Sequence, residues 1–191
     1  MRITGGRARG IVLKIPQRGT LRPATGFLRE AVFSSLAARV PGARVLDLFA
    51  GTGAYGLEAV SRGASQAVWV DANAAAVVAI CANLAAVAKS MDVADPKTLG
   101  HAAEADAFAW QPPPGSVFDL AFVDPPYALL PDFGGQLLAR AAEWMAPGLE
   151  VRLLLEAPGE YEPPPLPGWT LARRLGKGRR QPNSLIFRRE G

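Results

Sequence analysis

Apolar positions along this chain fall into short runs separated by longer stretches of helical spacing. "ARVLDLF" reads as a buried strand, followed by a glycine loop and a helix through "GLEAVSRG" that stops at Gly63. "QAVWVD" and the long "ANAAAVVAICANLAAVAKS" repeat the strand-helix pattern. "HAAEADAFAW" predicts a strand edge passing into a short helix, and "FDLAFVDPPY" a fourth strand, apolar up to Asp124. "QLLARAAEWMAPG" is a helix and "LEVRLLLEAP" a strand, and "TLARRL" and "SLIFR" close the chain as two strands around a basic loop.

Upstream of these, "GIVLKIP" alternates loosely as a strand or hairpin arm would. "LRPATGFLREAVFSSLAARV" predicts a turn at Pro23 and a helix capped by Thr25, with apolar positions at Phe27, Leu28, Val32, Phe33 and Leu36. Alternating strand and helix predicts an α/β fold: a doubly wound, mostly parallel seven-stranded sheet with helices on both faces. Residues 1–191 are expected to form one domain, with residues 1–22 as a short basic hairpin appendage.

Composition limits the function classes. Nearly half the residues are hydrophobic and a fifth are charged, the balance of a globular protein. No apolar run approaches the roughly 20 residues of a membrane helix, and "MRITGGRARG" lacks an apolar signal core, so a cytoplasmic location is expected. One cysteine and one histidine argue against a His/Cys metal site, and Cys81 reads as a small buried apolar residue. Charge is unevenly distributed. Residues 1–30 and 173–191 each carry seven basic residues against one acid, while residues 31–172 carry seven against fifteen. Two basic ends flank an acidic body, and folded to one rim they would present a single positive face to a polyanion such as nucleic acid.

The chemistry collects at predicted strand ends. "VLDLFAGTGAYGLEAV" spells G-x-G-x-x-G with Gly51, Gly53 and Gly56, but Asp47 precedes the glycines. A carboxylate there disfavours a pyrophosphate and suits a ligand with an ammonium or sulfonium centre. Asp71, at the end of strand two, can accept both hydroxyls of a ribose, or cap the next helix. Asp106, after strand three, can accept an adenine amine while the Ala107 N–H reaches a ring nitrogen, or serve as an ordinary cap. Asp124-Pro125-Pro126-Tyr127 joins a carboxylate to a stiff turn whose prolines donate nothing, which leaves acceptors for a planar exocyclic amine and a flat ring to stack on it.

These residues resemble the class I S-adenosylmethionine-dependent methyltransferases, with Asp47, Phe49, Ala50, Gly51 and Gly53 as the methionine-side loop, Asp71 and Ala72 at the ribose, and Asp106 and Ala107 at the adenine. "MRITGGRARGIVLKIP", "LRPATGFLREAVFSSL", "VLDLFAGTGAYGLEAVSRGA" and "FVDPPY", in that order, are similar to the RsmD-like bacterial 16S rRNA guanine-N(2)-methyltransferases. The resemblance implies a Rossmann-like methyltransferase fold, S-adenosylmethionine as cofactor and no metal. It also implies Gly56 as a packing residue, and Arg22, Thr25 and Arg29 beside the active site; a solvated helix face is the plainer reading of Arg29. Arg7, Arg9, Lys177, Arg179 and Arg180 would grip 16S rRNA or the small ribosomal subunit, with the protein acting as a monomer.

The chain departs from the family at Tyr55, where leucine is usual, a change expected to leave the chemistry untouched, and at "RRLGKGRRQPNSLIF", which replaces a Tyr-Gly-x-Thr stretch. Methylation of a DNA adenine, methylation of a glutamine amide, a non-catalytic RNA-binding module and a nicotinamide dehydrogenase are the rival readings.

Overall fold

The computed structural model describes residues 1–16 and 25–191. Seven strands form one sheet: β1 (Arg44–Leu48), β2 (Gln66–Asp71), β3 (Gly100–Glu104), β4 (Leu120–Val123), β5 (Arg152–Pro158), β6 (Trp169–Leu175) and β7 (Pro182–Arg189). Their order is β3-β2-β1-β4-β5-β7-β6. The first five run parallel, and β7 pairs antiparallel with both β5 and β6. The chain starts in the middle of the sheet, winds outward through β2 and β3, then returns to lay β4 against β1. That reversal between β1 and β4 is the switch point where such sheets open a crevice at their carboxyl ends.

Helices cover both faces. α1 (Thr25–Ser35), α2 (Ala54–Ser61) and α3 (Ala74–Ser90) pack on the side of Val45, Trp69, Phe122 and Leu154. α4 (Leu130–Glu143) packs on the side of Leu46, Leu48, Val123 and Leu155. Successive strand residues face opposite cores, and for this reason β4 reads as a continuous apolar run.

Local differences from the sequence reading have simple causes. Phe27 is 86% exposed, because it shares the outer side of α1 with Glu30, Ala31 and Ser34 while Leu28, Val32, Phe33 and Leu36 turn inward. Cys81 is exposed, not buried. It follows Ile80 around α3, whose many alanines give no polar face from which to read orientation. The helix expected after β3 is a single turn, with the Ala109 and Trp110 N–H groups both donating to the Asp106 carbonyl. The loop "MDVADPKTLG" contains a 3-10 turn at Pro96–Leu99.

Residues 1–13 fold back on themselves. The Ile3 N–H donates to the Ile11 carbonyl and the Gly10 N–H to the Ile3 carbonyl, with a bridge between Arg2 and Val12. This hairpin is fastened to α2 by Glu58, which is fully buried. Its carboxylate accepts the Thr4 N–H at 2.8 Å, the Thr4 hydroxyl at 2.7 Å and the Gly5 N–H at 2.8 Å, and pairs with Arg62 at 2.8 Å and Arg29 at 3.4 Å.

Candidate active site at the carboxyl ends of β1 to β4

Asp47 is the last-but-one residue of β1 and is 1% exposed. Its Oδ2 accepts the Gly56 N–H at 2.9 Å, so the carboxylate spans the loop and fixes the first turn of α2. Burial pushes its pKa up to about 8, opposed by the Gly56 N–H, reinforced by Asp71 and opposed again by Arg29. The carboxylate expected to face a cationic ligand is buried beneath the loop it holds.

The loop itself turns through left-handed backbone at Phe49 (φ 58°), Gly51 (φ 55°) and Gly53 (φ 76°). A Cβ at Gly51 would meet nothing within 4 Å, so that side is open to a ligand. One at Gly56 would lie 2.3 Å from Trp69 Nε1, which makes the third glycine a packing residue against a buried indole. The same Nε1 donates to the Gly53 carbonyl at 3.2 Å. Ala50 is buried, and its N–H donates to the Val70 carbonyl.

Asp71 closes β2. Its Oδ2 accepts the Gly51 N–H and its Oδ1 the Asn73 N–H, each at 2.8 Å, with exposed Ala72 between. Asn73, not Asp71, caps α3 by accepting the Ala75 N–H at 2.9 Å. The acid is thus aimed at the glycine loop and partly exposed beside it.

Asp106 is exposed after β3, and its Oδ1 accepts the Phe108 N–H at 2.9 Å, while Ala107 is buried. Phe108 packs edge-on against Phe49 (centroids 6.2 Å apart) and Phe133 (5.5 Å). This aromatic wall joins the ends of β1 and β3 to α4. Sequence reasoning missed Phe108, whose only signal was an aromatic two residues beyond Asp106, and Phe133, which α4 brings to it from elsewhere in the chain.

Asp124 follows β4, and its N–H donates to the Leu48 carbonyl at 3.2 Å, which seats it beside Phe49. Asp124 and Tyr127 are partly exposed, Pro125 is buried and Pro126 exposed. Tyr127 opens a 3-10 turn in which the Leu129 N–H donates to the Pro126 carbonyl at 2.9 Å. The four acids read from the sequence therefore collect at the same ends of four adjacent strands.

The basic residues divide. Lys177, Arg179 and Arg180 are exposed on the β6–β7 connection. That connection lies against the end of β5 through Glu160 N–H to Arg179 carbonyl (2.8 Å) and Gly159 N–H to Gln181 carbonyl (3.1 Å), at the same rim as the acids. Arg7 and Arg9 are at the other end. The Arg7 N–H donates to the Ser61 carbonyl at the end of α2, and its guanidinium to the Met91 carbonyl beyond α3. Because the 17 residues of α3 span roughly 25 Å, the two basic ends do not form one face.

Arg29 is 2% exposed, neither a solvated residue nor a surface for RNA. It lies on the inward stripe of α1 with Val32 and Phe33, paired with Glu58 and donating to the Arg2 carbonyl at 2.6 Å. The Thr25 side chain and Arg22 lie outside the described residues.

Tyr55, at the position of the expected leucine, makes contacts of its own. Its hydroxyl donates to Glu156 Oε2 at 2.9 Å, and its ring stacks on Phe122 with centroids 4.8 Å apart. Among the described residues, no cluster of His, Cys, Asp or Glu could hold a metal ion, and no helix is long and apolar enough to cross a membrane.

Residues 1–179 match the family model described as "Conserved hypothetical protein 95". The chain belongs to that family. All the candidate residues except Arg180 fall within the match. The chain is 36% identical over 129 residues to the ribosomal RNA small subunit methyltransferase D of Escherichia coli K12, a match covering 66% of this chain and 60% of that protein. It is 37% identical over 84 residues to the putative rRNA methyltransferase YlbH of Bacillus subtilis, covering 44% of this chain and 46% of that one. The solved structure of the putative methyltransferase yhhF from Escherichia coli superposes with a TM-score of 0.80 at 30% identity, covering 100% of this chain and 98% of that chain. The resemblance drawn from the four ordered motifs holds, and the fold is that of a Rossmann-like class I methyltransferase.

Proposed function

We propose that this protein transfers a methyl group from S-adenosylmethionine to the exocyclic 2-amino group of a guanine in 16S rRNA. The observation that carries the reading is the convergence of the Asp47–Gly53 loop, Asp71, Asp106 and Asp124–Tyr127 on one rim, with the four acids two residues or fewer from the ends of four neighbouring strands. The similarity to a ribosomal RNA small subunit methyltransferase supports it.

The residues fit the cofactor. Gly51 leaves open space beside a turn of left-handed backbone, Asp71 offers a partly exposed carboxylate for a ribose, and Asp106 with Ala107 stands beside an apolar, aromatic wall suited to adenine. When bound, the cofactor supplies a methyl already made electrophilic by its sulfonium. The protein needs only to present the amine lone pair in line with that methyl, at about 3 Å. A guanine 2-amino group is planar because its lone pair is delocalised into the ring. Acceptors at Asp124 and the Pro125 carbonyl favour the pyramidal nitrogen of the transition state over the planar ground state, which is catalysis by differential binding. Tyr127 stacks on the base.

A base must leave its helix to enter such a pocket, which favours looped or single-stranded RNA, held through its phosphates by Lys177, Arg179 and Arg180. Arg7 and Arg9 lie toward the opposite rim and Arg29 is buried, which weighs against a part for them in that grip. The protein acts as a cytoplasmic monomer on naked rRNA or a small-subunit particle.

Transfer of labelled methyl from S-adenosylmethionine to small subunits lacking the modification, to naked 16S rRNA and to duplex DNA tests the proposal. Label recovered as 2-methylguanosine supports it. Label only in DNA moves the protein to adenine modification, and bound cofactor with no transfer to any substrate moves it to a binding module.

A further inference from the structure

The connection between β6 and β7, Gly176–Gln181, spells "GKGRRQ" and belongs to the stretch in which the chain departs from the family it resembles. A loop of this composition has, on its own, a wide choice of conformations. The surrounding structure removes that choice. Asn183 of β7 is 3% exposed, and its Nδ2 donates back to the Gly178 carbonyl at 3.3 Å and the Gln181 carbonyl at 3.0 Å. The turn that leaves β5 supplies two more donors, the Gly159 N–H to the Gln181 carbonyl at 3.1 Å and the Glu160 N–H to the Arg179 carbonyl at 2.8 Å. The carbonyls of Gly178, Arg179 and Gln181 are thus all tied to the body of the protein, while the side chains of Lys177, Arg179 and Arg180 are exposed.

The turn after β5 is itself held. Arg174 of β6 donates through Nη1 to the Gly159 carbonyl at 3.0 Å and the Tyr161 carbonyl at 3.1 Å, and through Nη2 to both Glu162 carboxylate oxygens at 3.1 Å. The close approach of the two turns depends on a missing side chain. A Cβ at Gly159 would collide with the Gly178 carbonyl and lie 2.7 Å from Asn183 Nδ2. Gly159 is not one of the left-handed glycines, so space and not backbone conformation requires it. In the sheet order β7 lies two strands from β4, which sets the held connection on the order of 10 Å across the sheet from the strand that leads into Asp124, at the same rim. Arg174 is committed to Glu162 and two carbonyls, whereas Lys177, Arg179 and Arg180 enter no ion pair among the described residues.

We propose that Asn183 and Gly159, with Arg174 behind them, are positioning residues that hold the Gly176–Gln181 turn as a preformed clamp for the phosphates flanking the target guanine. The proposal rests on the reading of this rim as the site of RNA methylation. A turn already fixed in its bound shape loses less conformational entropy on meeting RNA than a flexible basic segment would, so more of its phosphate contacts appear as affinity. Phosphates held at fixed places also set the register of the strand, and with it the nucleotide that reaches the amine pocket.

The test uses the full chain. Gly159→Ala and Asn183→Leu leave every cation in place, and a triple variant carrying Lys177→Ala, Arg179→Ala and Arg180→Ala removes the three charges. Binding to naked 16S rRNA and to small subunits lacking the modification is measured over a salt series, with S-adenosylhomocysteine affinity and melting temperature alongside. Gly159→Ala and Asn183→Leu are expected to weaken RNA binding by about tenfold and to lower the slope of log K against log salt by roughly 0.7, one phosphate contact on a single strand, with S-adenosylhomocysteine affinity nearly unchanged. If the triple variant loses RNA affinity while Gly159→Ala and Asn183→Leu keep both affinity and slope, the cations act as a flexible arm; the proposal is overturned and the RNA-methylation reading stands. A triple variant that binds RNA as tightly as wild type would overturn the proposal together with the assignment of the grip. Weaker RNA binding at unchanged slope, with lowered melting temperature and S-adenosylhomocysteine affinity, would overturn it in favour of a purely structural role. A wild-type protein that binds S-adenosylhomocysteine but no RNA would sink the proposal along with the RNA reading itself.

Discussion

The Asp47 carboxylate accepts the Gly56 N–H at 2.9 Å from beneath the glycine loop, with almost none of its surface exposed. A carboxyl held near pKa 8 in the folded protein, against an ordinary 3.8, binds its proton more tightly folded than unfolded. Its contribution to stability is therefore full below about pH 4 and is lost as pH rises toward 8, at up to about 1.4 kcal/mol per pH unit. Asp47→Asn keeps an acceptor for Gly56 and removes the ionisation. The ligand-free variant should melt higher than wild type at pH 8, with a flatter dependence between pH 4 and 8. Calorimetric melting across that range checks this, and identical pH profiles would refute it.

Gly56→Ala would drive a methyl to 2.3 Å from Trp69 Nε1 and 2.7 Å from Cε2, inside a core where the indole is fully buried. Trp69 must move and release the Gly53 carbonyl. The expected cost is about 1–3 kcal/mol in chemical denaturation, with weakened cofactor binding through the displaced loop.

Glu58→Ala would strand Arg29 without its buried counter-charge and remove the acceptor of the Thr4 N–H, the Thr4 hydroxyl and the Gly5 N–H. A loss of about 3–5 kcal/mol is expected. Amide exchange should rise first in residues 1–13; uniform exchange across the chain would show that the hairpin is not a separate unit.

The division of the basic residues predicts different RNA phenotypes. Replacing Lys177, Arg179 and Arg180 with alanine should weaken rRNA binding and reduce the slope of log K against log salt by about 2, at roughly 0.7 per phosphate contact on single strands. Arg7→Ala with Arg9→Ala should change neither methylation nor the slope. A loss of RNA affinity in that second variant would mean the substrate wraps to the opposite rim.

The fold and the positions of Asp47, Asp71, Asp106 and Asp124 were legible because parallel strands are short segments rich in apolar residues, and each here has an acid within two residues of its end. Those signals are local. The burial of Arg29 and the pairing of Tyr55 with Glu156 were not legible because they depend on partners 29 and 101 residues away along the chain. The α1 stripe that buries Arg29 was visible in Val32 and Phe33, but its acceptor, Glu58, was not.

The amino-acid order by itself determined the alternation of strands and helices, the family and the set of carboxylates on one rim, since each follows from spacing within a few residues. Only the tertiary structure decided which charges are buried, which basic end shares the rim with the site, and that Asp47 holds the loop from below. Burial and pairing depend on what distant segments bring against a side chain, and the desolvation that shifts a carboxyl or commits an arginine exists only once those segments have packed.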